Sequence, residues 1–232
     1  PILECWKNIK EDKSFLDKYG YVDWKFFHFL NYSETFLQFT SFYNMSSPVL
    51  SLFFPVLLFI IPFFVIKLKG MEITVKEYTQ VLYHVIQNHA LGKLFTQFGS
   101  VSFDQKVYLL VSVAFYFFSI YQNILSCIRF HSNMKLIHQY FGDMEEYMEQ
   151  TFERIDNFLS YSSSLETYSL FNEKLSEKKE VLRKWREKLG RISGFQYSFG
   201  KLMEIGTILK EFFQVYESEE LNDAIQYSFG FH

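Results

Sequence analysis

The sequence predicts an all-α fold, in which an apolar helical hairpin precedes long antiparallel helices of coiled-coil type. Three observations support this prediction. Residues 48–66 and 107–128 form two long runs without any charged side chain. Apolar residues recur at helical spacing between residues 137 and 216. No proline follows Pro62, so no proline interrupts the helices in the rest of the chain.

This pattern divides the 232 residues into three segments. Residues 1–46 form an amphipathic and aromatic helical lead-in. Residues 47–130 form the apolar hairpin with a connecting amphipathic helix, and residues 131–232 form the helical arms. The net charge of −3 gives no general attraction to nucleic acid. Two cysteines, Cys5 and Cys127, are too few for a disulfide framework or a metal quartet, which is typical of a reducing compartment.

The lead-in begins with a short amphipathic helix over residues 1–20, which Gly20 is expected to end. Residues 21–42 are rich in aromatic side chains. Such residues concentrate at membrane–water interfaces, because the rings are apolar and the polar atoms of Trp and Tyr stay wet. They would equally suit a packed helical layer, so both interpretations stay open. The aromatic residues are Trp24, Phe26, Phe27, Phe29, Phe36, Phe39 and Phe42.

The first apolar run, residues 48–66, has the length of a membrane span. Fifteen of its nineteen residues are Val, Leu, Ile or Phe, and a helix of this length rises about 28 Å against a hydrocarbon core of roughly 30 Å. Pro48, Pro55 and Pro62 recur every seven residues. Proline costs about 3 kcal/mol inside a water-soluble helix, whereas membrane helices tolerate it. Lys67 follows the run and is placed to reach the headgroups.

The connection between the two apolar runs carries helix-start signals. Thr74 and Glu77 have the spacing of a capping box, and Gly92 is expected to end the helix that follows. Ser102 and Gln105 form a second capping box, which begins the second apolar run. The connecting helix has one apolar stripe, made of Val75, Tyr78, Leu82, Val85 and His89.

The two apolar runs have two interpretations. In the first, residues 48–66 and 107–128 cross a membrane as a hairpin, and the protein is membrane-associated and multi-pass. In the second, they are the buried helices of a large core, and the protein is intracellular and soluble. We favour the membrane because both runs are uncharged and long enough to span it.

The arms show heptad-like spacing, which predicts an antiparallel helical pair over residues 134–160 and 165–192 with a turn at 161–164. A third helix is expected over residues 200–216. The first stripe contains Ile137, Phe141, Met144, Met148, Phe152, Ile155 and Leu159. The second contains Phe171, Leu175, Leu182, Trp185, Leu189 and Ile192, with Lys178 at the stripe position between.

The sequence offers no catalytic residue and no metal site. His84 and His89 are five residues apart, so they do not share a helix face as ligands would, and His131 and His138 lack partners at ligand spacing. The acidic residues of 143–156 lack the Glu-x-x-His pairs of di-metal bundles, so we interpret them as a solvated face.

A basic face is the one nucleic-acid candidate. Residues 173–191 contain eight basic and four acidic residues. This face could contact a DNA backbone without reading bases, or it could be an exposed helix with i,i+4 ion pairs such as Glu180–Lys184. From the residues alone we favour the exposed helix. The DNA-contact candidates are Lys174, Lys178, Lys179, Arg183, Lys184, Arg186 and Lys188, with Arg191 at the end of the face.

Several strings resemble MutS-related proteins, the superfamily of DNA mismatch-repair ATPases, and in particular its divergent members in large DNA viruses. They are SSPV at 46–49, IPFFVIK at 61–67, HALGKLF at 89–95, IYQNI at 120–124 and RFHSNMK at 129–135. None of these strings is a catalytic signature. No phosphate-binding loop of the G-x-x-x-x-G-K-[ST] type occurs in the chain.

The resemblance implies a non-catalytic helical core and lever region, truncated before an expected ATPase domain. ATP and magnesium would then bind to the parent protein and not to these residues. A homodimer would move on DNA as ATP turns over, and the arms would resemble its lever or clamp. Well-studied MutS proteins are soluble, whereas this chain carries two membrane-like runs. The chain therefore departs from the family in this respect. The alternative function is a membrane-anchored helical scaffold or interaction protein without a DNA role.

Overall fold

The computed structural model describes residues 2–88, 102–192 and 199–231. Within these ranges the fold is all-α, as predicted, with nine α-helices, short 3-10 helices and no strand. The first four helices are α1 (Ile2–Lys10), α2 (Phe15–Tyr19), α3 (Glu34–Leu68) and α4 (Val75–Asn88). The others are α5 (Phe103–Ser162), α6 (Ser169–Gly190), α7 (Phe199–Met203), α8 (Ile205–Glu217) and α9 (Glu219–Ser228).

The chain divides into two compact units. Unit 1 comprises Pro1–Tyr43 and Arg129–His232, and unit 2 comprises Asn44–Ile128. Helices α3 and α5 each continue from one unit into the other. The predicted lead-in and the predicted arms therefore belong to the same unit, although the sequence separates them by more than eighty residues.

The core of unit 1 is built from the predicted stripes. Most of the stripe on α5 is buried as the 3–4 spacing predicts, although Phe152 and Leu159 are only half-buried. Phe141, Met144 and Met148 have no solvent exposure. Helix α8 adds Phe212 and Phe213, which are also fully buried. Other buried residues are Ile137, Ile155, Leu175, Leu182, Leu189, Ile208, Val215, Leu221, Ala224 and Ile225.

Helices α5 and α6 run antiparallel, which confirms the predicted pair. Asp156 binds Lys179 across the pair, and Glu149 binds Arg186 at 3.1 Å. Moving seven residues back along α5 therefore moves the contact seven residues forward along α6. The hydroxyl of Ser162 donates to the side-chain oxygen of Asn172 at 2.9 Å, near the turn. This constant register is what a shared heptad spacing produces.

Helix α5 is longer than predicted. The sequence predicts one helix for the second apolar run and another for residues 134–160, whereas the structure has one helix of 60 residues from Phe103 to Ser162. The sequence contains no proline in this range, and its only glycine, Gly142, is tolerated at a cost of about 1 kcal/mol. The change from apolar run to amphipathic arm therefore occurs inside a continuous helix.

The predicted helix over residues 200–216 is interrupted at Glu204, between α7 and α8. The side chain of Gln38, on α3, satisfies backbone groups on both sides of this break. Its amide nitrogen donates to the carbonyl of Leu202 at 2.8 Å, and its oxygen accepts from the N–H of Gly206 at 2.9 Å. A polar contact from a distant helix therefore stabilises the interruption.

The first twenty residues also form two helices where one is predicted. Asp12 accepts from the N–H of Ser14 at 2.9 Å, which is a local turn that competes with the helix. Gly20 then ends α2 with a φ of 68°, as expected for a left-handed helix end. Trp6 fixes α1 to α9, because its indole N–H donates to Asn222 at 2.9 Å.

Candidate functional site

The apolar part of α3 lies exposed on unit 2. Its side chains would be costly in water, because soluble monomers rarely expose apolar patches above a few hundred Å². Residues 48–66 are thus part of a helix, as predicted, but the described residues cover them only in part. The exposed side chains are Val49, Leu50, Leu52, Phe53, Phe54, Val56, Leu57, Ile60, Ile61, Phe64 and Val65, each between 37% and 58% exposed.

The first part of α5 presents a second exposed apolar surface. Helix α5 is the one helix among the described residues found to be long and apolar enough to cross a membrane. No residue in its most apolar stretch is buried, unlike the core helix of a soluble protein. Exposed side chains cover most of the circumference of this part, whereas a stripe of half-buried residues that includes Leu109, Tyr116 and Ile120 follows one side. The exposed side chains are Val107, Tyr108, Leu110, Val111, Val113, Phe115, Phe117, Phe118, Tyr121, Ile124 and Ile128.

Two side-chain contacts join α3 and α5 within unit 2. The Tyr116 hydroxyl donates to the carbonyl of Leu52 at 2.9 Å, and the Cys127 thiol lies 3.6 Å from the carbonyl of Met45. Cys127 follows Tyr116 along α5, whereas its partner Met45 precedes Leu52 along α3, so the two helices run antiparallel at these contacts. Both contacts use backbone carbonyls, which need partners wherever water is excluded.

Pro48 removes a backbone donor from α3, and the neighbouring side chain replaces it. Proline has no N–H, so the carbonyl of Asn44, four residues earlier, loses its helical partner. The Ser47 hydroxyl donates to that carbonyl at 3.0 Å. This compensation is the kind that lets a membrane helix contain proline.

The predicted capping box at the start of α4 is confirmed. The N–H of Thr74 donates to the Glu77 carboxylate at 2.9 Å, and the N–H of Glu77 donates to the Thr74 hydroxyl at 3.3 Å. The hydrogen bond from the Thr74 backbone lowers the pKa of Glu77. The second predicted box, Ser102 and Gln105, stays a prediction. Helix α5 begins there, and the N–H of Lys106 donates to the Ser102 carbonyl at 3.2 Å as a backbone bond of its first turn.

Helix α4 packs against α3 through part of its apolar stripe. The Tyr78 ring lies 5.1 Å from the Phe63 ring, centroid to centroid. Tyr78 and Leu82 are half-buried, whereas Val75 and Val85 of the same stripe are exposed. The stripe therefore keeps an uncovered apolar side next to the exposed α3 surface. The predicted stop at Gly92 and the stripe position His89 lie outside the described residues.

Most of the DNA-contact candidates on α6 form ion pairs within unit 1. Lys178 pairs with Asp223 of α9 at 2.5 Å, and this hydrogen bond raises the pKa of Lys178. The pair explains how a lysine occupies a stripe position, because its stem packs while its ammonium reaches a carboxylate. The others in pairs are Lys179 with Asp156, Arg183 with Glu180, Arg186 with Glu149 and Lys188 with Glu211.

Two candidates, Lys174 and Lys184, are exposed side chains on α6. The i,i+4 pair predicted between Glu180 and Lys184 is replaced by an i,i+3 pair, in which Arg183 lies 2.9 Å from Glu180. Arg191 follows α6 and is exposed as well. The cations of α6 therefore serve mainly to hold it to its neighbours, and a smaller set faces solvent.

The histidines and acids do not gather into a metal site. Among the described residues, no three His, Cys, Asp or Glu side chains lie close enough to hold an ion. His84 and His131 are exposed, while His138 is buried in unit 1. Glu149 and Asp156, from the predicted solvated acidic face, bind cations of α6.

The aromatic segment of residues 21–42, which runs into the first turns of α3, is largely uncovered. Its backbone is held to unit 1 by Asn31, whose buried amide bonds both the N–H and the carbonyl of Val22 at 2.9 Å. Tyr32 binds Glu217, and burial together with this bond raises the pKa of Tyr32 to about 12. A packed layer would bury the rings, but five of the seven are exposed: Trp24, Phe26, Phe29, Phe39 and Phe42.

Sequence reasoning missed the residues that fix α3 to α8 in unit 1. A Cβ added to Gly206 would lie 2.3 Å from the carbonyl of Glu34, so only glycine permits this approach. Lys210 binds Glu34 at 2.8 Å one turn further on. The available signal was a glycine inside the apolar stripe of a predicted helix.

Comparison with family models, with curated proteins and with solved structures finds no match for this chain. The class of protein that the fold and the exposed surface define is an all-α protein with a helix able to cross a membrane.

Proposed function

We propose that this chain is a multi-pass membrane protein in which residues 48–66 and 107–128 cross the bilayer as an antiparallel hairpin. The hairpin anchors unit 1, a helical domain that acts as a scaffold or interaction module. The observation that carries this proposal is the exposure of most of the described apolar side chains in both runs. Such a surface is stable only where its solvent is itself apolar.

The polar groups of unit 2 support the same function. The hydroxyls of Ser47 and Tyr116 bond backbone carbonyls of α3, at 3.0 and 2.9 Å. No Asp, Glu, Lys or Arg lies within either run. Lysines Lys67 and Lys69 follow the first run, where their stems can lie along apolar surface and their ammonium groups can reach the headgroups.

The free energy of membrane insertion is also favourable for both runs. The fifteen Val, Leu, Ile and Phe residues of the first run contribute roughly −6 kcal/mol at about −0.4 kcal/mol each. Proline and serine subtract from this sum. The twelve residues of these types in the second run contribute roughly −5 kcal/mol on the same scale. Both segments therefore favour the bilayer independently of unit 1.

Alkaline carbonate extraction of membranes from cells that express the chain tests this function. A hairpin that spans the bilayer stays in the pellet after carbonate treatment and moves to the supernatant only with detergent. A variant that lacks residues 48–66 and 107–128 is the matched control, and it should leave the membrane. Full release of the intact chain by carbonate contradicts the proposal.

A second candidate function is the lever region of a MutS-like ATPase, which couples ATP-driven movement of a homodimer to DNA binding. The observation that favours it is the antiparallel pair α5–α6, which carries the exposed cations Lys174, Arg183 and Lys184. Because most other cations of α6 are paired internally, we rank this function below membrane anchoring.

Salt-dependent DNA binding tests the second candidate. The full chain in detergent would bind duplex DNA at low salt, and Lys174→Glu with Lys184→Glu would weaken that binding several-fold through lost counterion release. Lys67→Glu with Lys69→Glu, which makes the same change of charge in unit 2, serves as the control. Absence of any DNA affinity at low salt excludes this function and leaves the membrane anchor unaffected.

A further inference from the structure

Gln122 carries an amide on the exposed side of α5, inside the second apolar run. The neighbouring Asn123 is half-buried and follows Tyr116, which bonds α3, by seven residues, so both lie on the side of α5 that contacts α3. Gln122 is turned from Asn123 by about 100° around the helix. Among the described residues, none gives the Gln122 amide a hydrogen-bond partner. Its two N–H donors and its carbonyl acceptor are therefore left to a partner outside this hairpin.

The depth of Gln122 in a bilayer makes an unpaired amide costly. The centre of residues 107–128 falls between positions 117 and 118, and Gln122 follows that centre by about 7 Å along the helix. The hydrocarbon core extends about 15 Å to each side of its middle. With the run centred in the bilayer, the amide lies in hydrocarbon, where polar side chains almost always face another helix.

The other exposed polar side chains of the run have less need of a partner. Tyr108 lies at the start of the run, at the depth where tyrosine is enriched. The Ser119 hydroxyl can bond the carbonyl of Phe115 in the preceding turn, and Tyr121 has one hydroxyl on an apolar ring. The amide of Gln122 has no such option, because the backbone N–H groups of a continuous helix are already bonded.

The surface around Gln122 is suited to a second helix. Its residues share the side of α5 on which Gln122 lies, and all of them are exposed and uncharged. Ser119 is small, so the backbone of another helix can come close to the amide. We call this surface the Gln122 face, and it consists of Val111, Phe115, Phe118, Ser119 and Gln122.

We propose that the Gln122 face joins two copies of this chain within the bilayer, with the two Gln122 amides hydrogen-bonded to each other. The inference rests on the proposed insertion of residues 107–128. Two copies with the same orientation are related by a twofold axis along the bilayer normal, so their amides lie at the same depth. Because an amide both donates and accepts, each copy satisfies the other. A charged partner helix would find no opposite charge, since neither run contains Asp, Glu, Lys or Arg.

Energy transfer between fluorescent copies of the full chain tests the inference. Chains with a donor or an acceptor on a C-terminal tag are mixed in phosphatidylcholine liposomes, and transfer is measured as lipid is added. We expect transfer above the level of random proximity. Gln122→Leu should weaken self-association by about tenfold, because interhelical hydrogen bonds of polar side chains contribute this order of affinity in model membrane helices. Gln122→Asn keeps an amide and should retain most of the association.

Tyr121→Phe is the matched control for Gln122→Leu. It removes a polar group from the adjacent exposed residue, on a side of α5 turned away from the Gln122 face. It should leave self-association unchanged. Equal weakening by Tyr121→Phe and Gln122→Leu would contradict an interface centred on the Gln122 amide.

Disulfide cross-linking locates the interface on the helix. In a chain with Cys5→Ser and Cys127→Ser, a single cysteine replaces either Ser119, on the Gln122 face, or Phe117, on another side of α5. Mild oxidation in liposomes should give a covalent dimer with Ser119→Cys and none with Phe117→Cys. Equal cross-linking at the two positions would contradict a defined face.

Retention after carbonate extraction separates this inference from the hairpin on which it rests. Gln122→Leu should remain in the carbonate pellet like the unmodified chain. A chain that stays in the membrane but shows no transfer above random proximity overturns the inference and leaves the hairpin intact. Transfer that Gln122→Leu does not reduce has the same meaning. Full release of the unmodified chain by carbonate overturns the hairpin and the Gln122 face together.

Discussion

The two parts of α5 contain similar apolar side chains in opposite environments. In unit 2, Phe115, Phe117 and Phe118 are all more than half exposed. In unit 1, Phe141 and Met144 on the same helix have no exposure. The difference follows from what each part meets, because α6, α8 and α9 bring apolar residues to the core of unit 1. The described part of unit 2 offers no comparable cover to α5.

The sequence pattern distinguishes the two parts as well. Residues 137–159 place apolar side chains on one face and acids such as Glu146 and Glu153 on the other, so a protein core can cover the apolar face. Residues 107–128 carry no charge on any side: one side holds uncharged polar residues such as Ser112 and Asn123, and the other sides are mostly apolar. One continuous helix, α5, therefore combines a part suited to a bilayer with a part suited to a protein core in water.

The largest effect should come from removing the same ring in each part. Phe141→Ala leaves a cavity in the core of unit 1 and should lower its free energy of unfolding by about 3–5 kcal/mol. Phe115→Ala should change that free energy by less than about 0.5 kcal/mol, because Phe115 lies in unit 2 and is exposed. Denaturant unfolding of the full chain in mild detergent, followed by circular dichroism, measures both. Similar losses of unfolding free energy in the two variants would contradict the different environments of Phe141 and Phe115.

A charge introduced on each exposed surface should show which surface faces lipid and which faces water. Phe117→Lys, near the middle of the second run, should make insertion less favourable by about 3 kcal/mol. Leu170→Lys, on the exposed side of unit 1, should have no effect on insertion. The fraction of chain that resists carbonate extraction reports the change. If both variants insert as well as the unmodified chain, the surface around Phe117 does not face lipid.

Two glycine-to-alanine variants compare a tightly packed position and an open position within unit 1. Gly206→Ala forces a Cβ to within 2.3 Å of the Glu34 carbonyl and should destabilise unit 1 by about 1–3 kcal/mol, as overpacking does. Gly142→Ala should be neutral or stabilise by up to about 1 kcal/mol, because α5 has open space there and alanine favours the helix. The midpoints of thermal unfolding give both values. An unchanged midpoint for Gly206→Ala would mean that α3 and α8 can move apart freely.

The smallest effect concerns the pH dependence of the α3–α8 contact. The hydrogen bond from Lys210 lowers the pKa of Glu34. A lowered carboxyl pKa stabilises the fold above the ordinary Glu value near pH 4.3, and this stabilisation is lost as the pH falls through the lower folded value. Because the pair is exposed, its contribution should stay below about 1 kcal/mol. Glu34→Gln should reduce the pH dependence of the free energy of unfolding of unit 1 between pH 5 and pH 3. If that dependence stays the same, it comes from other acidic residues.

Local patterns were sufficient to predict several parts of the fold. The stripes on α5 and α6 and their antiparallel register follow from apolar spacing within each helix. The capping box at Thr74 and the helix end at Gly20 follow from short-range backbone chemistry, which needs only neighbouring residues. Each of these features depends on residues close in the sequence or on a repeated period.

Features that depend on distant partners could not be predicted. The break at Glu204 depends on Gln38, and the pairing of Lys178 depends on Asp223. The close approach of α8 to α3 depends on Gly206, which meets Glu34, 172 residues earlier in the sequence. Periodicity shows which face of a helix is apolar but not what covers it, so the environment of residues 48–66 required the structure.

The most direct test of the membrane surface is an accessibility profile along α5. Single spin labels would be placed at successive positions from 103 to 140 of the full chain in liposomes. We expect residues 107–128 to be shielded from a water-soluble nickel chelate on all sides of the helix, and to be accessible to oxygen on the sides that face neither α3 nor a second copy. Beyond residue 129 the exposed positions should become accessible to nickel, while the buried ones should be shielded from both reagents. Nickel access throughout residues 107–128, or shielding of the exposed positions of that stretch from both reagents, would contradict a helix that faces lipid.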